Sequence, residues 1–397
     1  MEIKKLNIPL AQINLHFWRS LAEWLGALSV CVALFSFRLH TLVPGFSSAE
    51  MMAIGKAASL KTIGHDPTYL AHKLLQYIGL KLDHNGFIAM RLPSVLAGIV
   101  AVALFFYIIN KWFNLQIAIT ASFLFVSSSW FLHLARIGTP EVTYLGILAP
   151  LAFAVWLTPY RKPLQALSLG LLVLLNALYT PGLIWFVIFS MIWQRKVLTQ
   201  LIASLKIPSL FMISGVVILL TPLFLSLIQS PELIKAYFGL PSNLAQSPFT
   251  ILQNLINIPI MLAWRGPNDP ALNLGRMPLL DFFTFIMVIL GGYSFAKHAK
   301  LQRSQMLLAC LIISFMLLAI GGQVSIAILL PFVYLLTAGG INLMTEQWFK
   351  VFPYNPFARS IAVLLLLLSI GVVTFYHTSS YYIAWPQAPV TKETFRY

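Results

Sequence analysis

Residues 164–194, LQALSLGLLVLLNALYTPGLIWFVIFSMIWQ, run for 31 residues without a charge. A stretch this apolar belongs in lipid, where a straight spanning helix takes about 20 residues. It is too long for one untilted crossing, and Tyr179-Thr180-Pro181-Gly182 interrupts it. Pro and Gly at that point favour a hairpin over one long tilted helix. The choice decides the fold, because one crossing more or fewer here reverses the sidedness of everything downstream.

The composition puts the rest of the chain in the same solvent. Of 397 residues, 26 are Lys or Arg and 11 are Asp or Glu, so 9% are charged while 59% are hydrophobic and the mean hydropathy is +0.84. A soluble domain has about 25% charged residues. The chain has too few charges to clothe a soluble exterior, which excludes a soluble enzyme, a disordered chain and a secreted disulfide scaffold. Cys31 and Cys310 lie inside apolar runs and imply no disulfide framework. A formal charge of +15 would suggest nucleic acid for a soluble protein. Here the first question is instead whether the cations sort to one side of a bilayer, and no nucleic-acid partner is expected.

Eleven apolar stretches are candidate spans, near 21–37, 92–110, 115–133, 141–158, 164–178, 181–194, 208–228, 279–296, 304–320, 323–342 and 359–376. With the hairpin and an inside N terminus, 14 of the 26 cations fall inside, and nearly all the rest lie in long loops or the tail, where the positive-inside rule is weak. Reading 164–194 as one helix would move eight short-loop cations outside. The expected fold is therefore an all-α polytopic membrane protein of about eleven helices, N terminus inside and C terminus outside. One transmembrane domain spans 1–397, with no soluble C-terminal domain and no cleavable signal peptide expected. Two long outside loops, 38–91 and 229–278, interrupt it. In the first, SAEMMAIGKAASL from Ser48 to Leu60 and DPTYLAHKLLQYIGLKL from Asp66 read as amphipathic interfacial helices.

On this topology eight of the eleven acids and six of the eight histidines lie outside, so any acid/base chemistry is expected there. Glu50 opens an amphipathic helix directly after the first span; it either complements the helix N terminus or is a functional carboxylate at membrane depth. Arg136 and Glu141, in HLARIGTPEVTYLG, either form an ion pair across a tight turn or belong to the site. Arg91, Arg265 and Arg276 either anchor at headgroups or hold a phosphate. Trp264, in WRGPNDPALNLGRMP, is an interfacial anchor or a stacking platform for a sugar. His65, Asp66 and His72 form no compact ligand set, so no cofactor is expected and a divalent metal is a minor alternative. The aromatic residues of the tail from His377 suggest an interfacial belt.

The order of these features resembles the type C glycosyltransferase (GT-C) superfamily, in particular its bacterial protein-mannosyltransferase and aminoarabinose-transferase branch. PGFSSAEMMAIGKA (Pro44–Ala57) is similar to the family's Pro-Gly-aromatic-x-x-Asp-Glu motif and following helix. GFIAMRLPSVLAGIVAV (Gly86–Val102) is similar to its Arg-Leu-Pro-Ser entry into the second span, and HLARIGTPEVTYLG to its second acidic motif. YTPGL, GRMPLLDFFTFIMVILGG and LLPFVYLLTAGGINLM follow in the family's order.

The resemblance implies transfer of a sugar from a polyprenyl-phosphate donor to a lipid, glycan or protein acceptor at the periplasmic face of a bacterial inner membrane. Glu50 would be the base and Glu141 the supporting carboxylate. Arg91, Arg136, Arg265 and Arg276 would attend the lipid phosphate. The chain departs from the pattern at Ala49, where the family has Asp. A catalytically silent relative that binds or scaffolds a polyprenyl lipid is the alternative. A transporter is disfavoured, because the ionisable groups collect at one membrane face rather than at the midplane.

Overall fold

The computed structural model describes residues 29–82, 86–157, 163–205, 207–241, 247–267, 274, 276–321 and 324–396. Among them all regular structure is helical. The chain opens with α1 (29–36), then α2 (Ser48–Ala57), α3 (Leu60–His65) and α4 (Leu70–Leu82) in the first long loop. Then come α5 (Phe87–Trp112), α6 (Leu115–Ser127) and α7 (Ser129–Arg136), and a 3₁₀ segment, Pro140–Ile147, runs into α8 (Leu148–Leu157). Next are α9 (Pro163–Leu178), α10 (Ile184–Trp193), α11 (Arg195–Leu205) and α12 (Ile207–Gln229). The second long loop holds α13 (Pro231–Tyr237) and α14 (Pro248–Ala263). After it come α15 (Phe282–Lys297), α16 (Gln302–Ala319), a 3₁₀ turn at Ile326–Leu329, α17 (Leu330–Val351) and α18 (Pro356–Ser379). The tail winds through a π-helical turn, Ser380–Ala384, into α19 (Trp385–Gln387) and α20 (Pro389–Thr394).

This is a multi-pass membrane protein. Six helical stretches are long and apolar enough to cross a bilayer, and α6 with α7, bent by 64°, adds a seventh. Among the described residues the expected count of eleven is not confirmed. A hydropathy window registers apolarity but not where a helix stops: the ten residues of α10 rise about 15 Å against a hydrocarbon core of about 30 Å. Helices α9 and α15, each of 16 residues, are short in the same way. Of the first expected span, residues 21–28 lie outside the described residues, as do 268–273 of the second loop.

The 164–194 stretch breaks where the Pro-Gly pair predicts. Tyr179 O accepts from Tyr69 N (2.7 Å), and Gly182 N donates to Tyr237 O (2.8 Å), so the break is stitched to both long loops. Gly182 takes φ +78°, and a Cβ there would stand 2.9 Å from Val324 Cγ2. The left-handed backbone and the tight space both call for glycine.

Helix α17 is the axis of the bundle: 83% of its most apolar window is buried, against 11% for α18 at the periphery. It packs on α15 backbone to backbone. A Cβ on Gly291 would lie 1.9 Å from Leu336 O, and one on Gly340 would lie 2.0 Å from Met287 O. Lipid supplies no hydrophobic drive between helices, so this close approach carries the association.

In the first loop the predicted Ser48–Leu60 helix is two helices, with Ser47 capping α2 and Ser59 capping α3. Helix α4 is inverted relative to a soluble amphipathic helix. His72, Lys73 and Gln76 face inward and are buried, while Leu75, Ile78 and Leu82 are exposed. A bilayer interface stabilises this arrangement and bulk water does not.

Gly340→Leu is expected to cost at least about 3 kcal/mol by forcing α15 from α17. Gly371→Ala, at a position with open space around it, is expected to be neutral; unfolding of both variants in detergent checks the contrast.

Candidate functional site

Both long loops, the α7–α8 link and the tail meet at one end of the bundle, and every candidate residue lies there. At its centre is Glu50, with no exposed surface. Ser47 and Glu50 form a reciprocal capping box: Glu50 N donates to Ser47 Oγ (3.2 Å) and Ser47 N to Glu50 Oε2 (3.0 Å). Arg91 grips the same carboxylate in a fork, Nε to Oε1 at 2.9 Å and Nη2 to Oε2 at 3.2 Å. Gly138 N, 88 residues away, donates to Oε1 at 2.8 Å. Arg91 spends its remaining donors on Leu39 O (3.0 Å) and Gly45 O (3.1 Å). Gln76 Nε2 bonds Gly138 O (2.7 Å) and Met90 O (3.2 Å).

This polar node ties α2, α4, α5 and the α7–α8 link together. Four N–H groups fill the two carboxylate oxygens, so the geometry is that of a clamp, with no position left at which an acceptor hydroxyl could hand over its proton. Arg91 is likewise committed to protein acceptors. Ala49, beside Glu50, is partly exposed.

Glu141 is partly exposed at the first turn of the 3₁₀ segment, just past the clamped Gly138. Among the ion pairs of the described residues none joins Glu141 to Arg136, so of the two alternatives the pair across the turn is not the one seen. Close by, Tyr69 adopts φ +57°, unusual for a non-glycine residue, and its hydroxyl meets that of Tyr144 at 3.1 Å. Burial first, then Tyr144, Glu141 and Asp66, pushes the Tyr69 phenol well above its ordinary value, so it stays protonated. Backbone strain held by surrounding structure concentrates at functional sites.

Asp66 Oδ1 accepts from Thr68 N (3.2 Å) and Thr68 Oγ1 (2.5 Å), while Oδ2 pairs with Lys73 (3.1 Å) and Lys56 (3.3 Å). Burial works to raise its pKa, but Lys73, Thr68 and Lys56 together hold the carboxyl below its usual range. His72 donates to or accepts from Ser94 Oγ at 3.0 Å, and burial, then Lys73, lowers it to about 4, so it is neutral at pH 7. Among the described residues no three His, Cys, Asp or Glu side chains converge on a metal position. His65, Asp66 and His72 do not fit a metal site.

Arg136 is buried beneath the tail. Its guanidinium lies 5.2 Å from the Tyr381 ring centroid and 4.8 Å from that of Tyr382, and Nη2 donates to Phe37 O at 2.5 Å. The aromatic tail is therefore not the interfacial belt that its composition suggests: Tyr381 and Trp385 are buried, drawn in by this cation and by His133, whose ring meets that of Trp385 at 4.9 Å.

Trp264, Arg265 and Arg276 come together where the two ends of the second loop meet, with Gly266 N on Arg276 O at 3.2 Å. A cleft of about 330 Å³ opens here between α14 and α16, lined by Asn254, Asn257, Met261, Arg265 and Ile326. Trp264 is 82% exposed beside it.

A further polar chain went unread in the sequence: Ser129 Oγ to His377 Nδ1 at 2.9 Å, and His377 Nε2 to Asp281 Oδ2 at 3.0 Å. It staples α7, α15 and α18. The partners lie 248 and 96 residues apart, and only the cap signal of Asp281 before Phe282 was visible locally.

No protein-family model matches the chain, and no curated sequence does. Among solved structures it is similar to ArnT from Cupriavidus metallidurans bound to undecaprenyl phosphate, with a TM-score of 0.58 at 12% identity over 94% of this chain and 77% of that one. The apo form of ArnT matches with a TM-score of 0.59 at 13% identity, over 95% and 78%. The chain therefore shares its fold with ArnT over nearly its whole described length.

Glu50→Leu is expected to destabilise the protein by about 3–5 kcal/mol, because it leaves Arg91 buried without its carboxylate. Glu50→Leu with Arg91→Met is expected to cost less than the sum of the single changes, which a double-mutant cycle of unfolding in detergent measures. The folded-state pKa of Asp66 is depressed, so its stabilisation is present above about pH 4 and is lost as pH falls through the folded value. Asp66→Asn is expected to flatten the melting-temperature profile in that acid window.

Proposed function

We propose that this protein is a membrane glycosyltransferase that moves a sugar from a polyprenyl-phosphate-linked donor to a lipid, glycan or protein acceptor at the outer face of a bacterial inner membrane. The observation that carries the reading is the cleft beside Arg265: apolar walls for a prenyl chain, with one cation and two asparagine side chains where a phosphate would lie. The fold adds support, being shared with a protein whose structure holds undecaprenyl phosphate. Arg265 and Arg276 hold the donor phosphate, and Trp264 offers a face on which the sugar stacks.

In the reaction the acceptor hydroxyl oxygen attacks the sugar's anomeric carbon. The bond from that carbon to the phosphate oxygen breaks, and the polyprenyl phosphate leaves with the electron pair. A base takes the hydroxyl proton. We assign this base to Glu141 rather than Glu50. Glu141 is partly exposed on a link that Glu50 holds rigid, so Glu50 and Arg91 act by positioning.

A second reading, a catalytically silent lipid-binding relative, is favoured by Ala49 and by the saturation of Glu50. Turnover of a radiolabelled polyprenyl-phosphate sugar by the full chain in proteoliposomes separates the two. Transfer is expected, with Glu141→Gln lowering kcat by about 10²–10⁴-fold at unchanged donor binding, and Arg265→Gln weakening donor binding. Donor binding with no transfer by the wild type, over a panel of sugars and acceptors, would establish the silent reading.

A further inference from the structure

We propose that Arg136 and Trp385 form a second anion site, distinct from the Arg265 cleft, that takes a phosphate ester and is roofed by the chain's own C-terminal segment. Arg136 is 2% exposed. Among the described residues no carboxylate pairs with it: Arg91, Ser47 and Gly138 occupy Glu50. Its guanidinium bonds Phe37 O and the Tyr382 hydroxyl, while Nε and Nη1 are buried without a hydrogen bond. Trp385 Nε1, in a side chain 5% exposed, is also buried without one.

These donors share one neighbourhood. The Tyr381 ring lies 5.2 Å from the Arg136 guanidinium and stacks on Trp385 at 5.2 Å, with the planes 12° apart. The rings of Tyr381 and Tyr382 soften the burial of this charge. They supply no hydrogen-bond acceptor to Nε or Nη1. A buried donor without an acceptor costs full desolvation, and a buried cation costs more. The two orphan N–H groups of Arg136 and the indole N–H call for a ligand that is anionic and presents several oxygens, which describes a phosphate ester.

The surroundings point to a lipid as its source. Arg136 bonds the chain just after α1, and the Tyr382 hydroxyl donates to Leu34 O within α1. Phe37 and the outer side of α1, at Val30 and Val32, are exposed apolar surface. The site stands on these contacts alone and survives if glycosyl transfer is disproved.

The test counts bound ligands on the full chain in neutral-lipid nanodiscs, by native mass spectrometry with short-chain phosphatidic acid, and in parallel follows melting temperature with inorganic phosphate. Two phosphatidic acid molecules are expected on the wild type. Arg136→Gln and Arg265→Gln should each leave one. Trp385→Phe, which keeps the ring packing, should weaken the second site by about two- to tenfold, the worth of one hydrogen bond. Stabilisation of the wild type, and not of Arg136→Gln, by inorganic phosphate would support the anion site and assign a soluble ester as its ligand. Two lipids retained on Arg136→Gln, or undiminished affinity in Trp385→Phe, would overturn the proposal. Because Trp385→Phe preserves the packing, the test stands even if Arg136→Gln fails to fold.

Discussion

One carboxylate with no exposed surface organises the functional end of this molecule. Glu50 accepts from its own helix cap, from a guanidinium on α5 and from a backbone amide on the α7–α8 link. Each bond would be weak in water, where solvent competes for both partners. In this dry node every donor needs that acceptor, and the acceptor needs the donors to remain charged. The three segments consequently hold one another in place.

The clamp also fixes what lies beyond it. Ala49, next in the chain, carries no carboxylate, so Glu50 alone ties the start of α2 to α5. Under the function proposed above, proton transfer then falls to Glu141, a few residues from the amide that Glu50 grips.

What the sequence disclosed follows from how far each signal reaches along the chain. The helix break at Tyr179–Gly182 was legible because Pro and Gly act locally. The solvent of the whole chain was legible because composition is an average. The number of crossings was not, because residues as apolar as those of α10 belong to a helix of only ten residues. Arg91 and Arg136 were both cast as phosphate contacts by the family resemblance, with alternatives open from the residues alone. Depth and charge do not distinguish an arginine whose donors are consumed by Glu50 from one whose donors are left over. That difference rests on contacts 41 and 99 residues apart in the chain. The tail misled for the same reason: Tyr and Trp favour a membrane interface and an arginine face alike, and only the position of Arg136 decides between them.

The contact between α15 and α17 has a mechanical corollary. With Gly291 and Gly340 set against opposing carbonyls, rotation of either helix would drive side chains into the other's backbone, and separation would forfeit the close packing, so the pair acts as a fixed rail. Under the proposed function, a bulky lipid substrate enters and leaves through surfaces that yield. Helices α12 and α18 have only 22% and 11% of their apolar windows buried, and they are the walls free to give way. Breathing of the bundle is thereby directed to its lipid-facing flank, away from its axis.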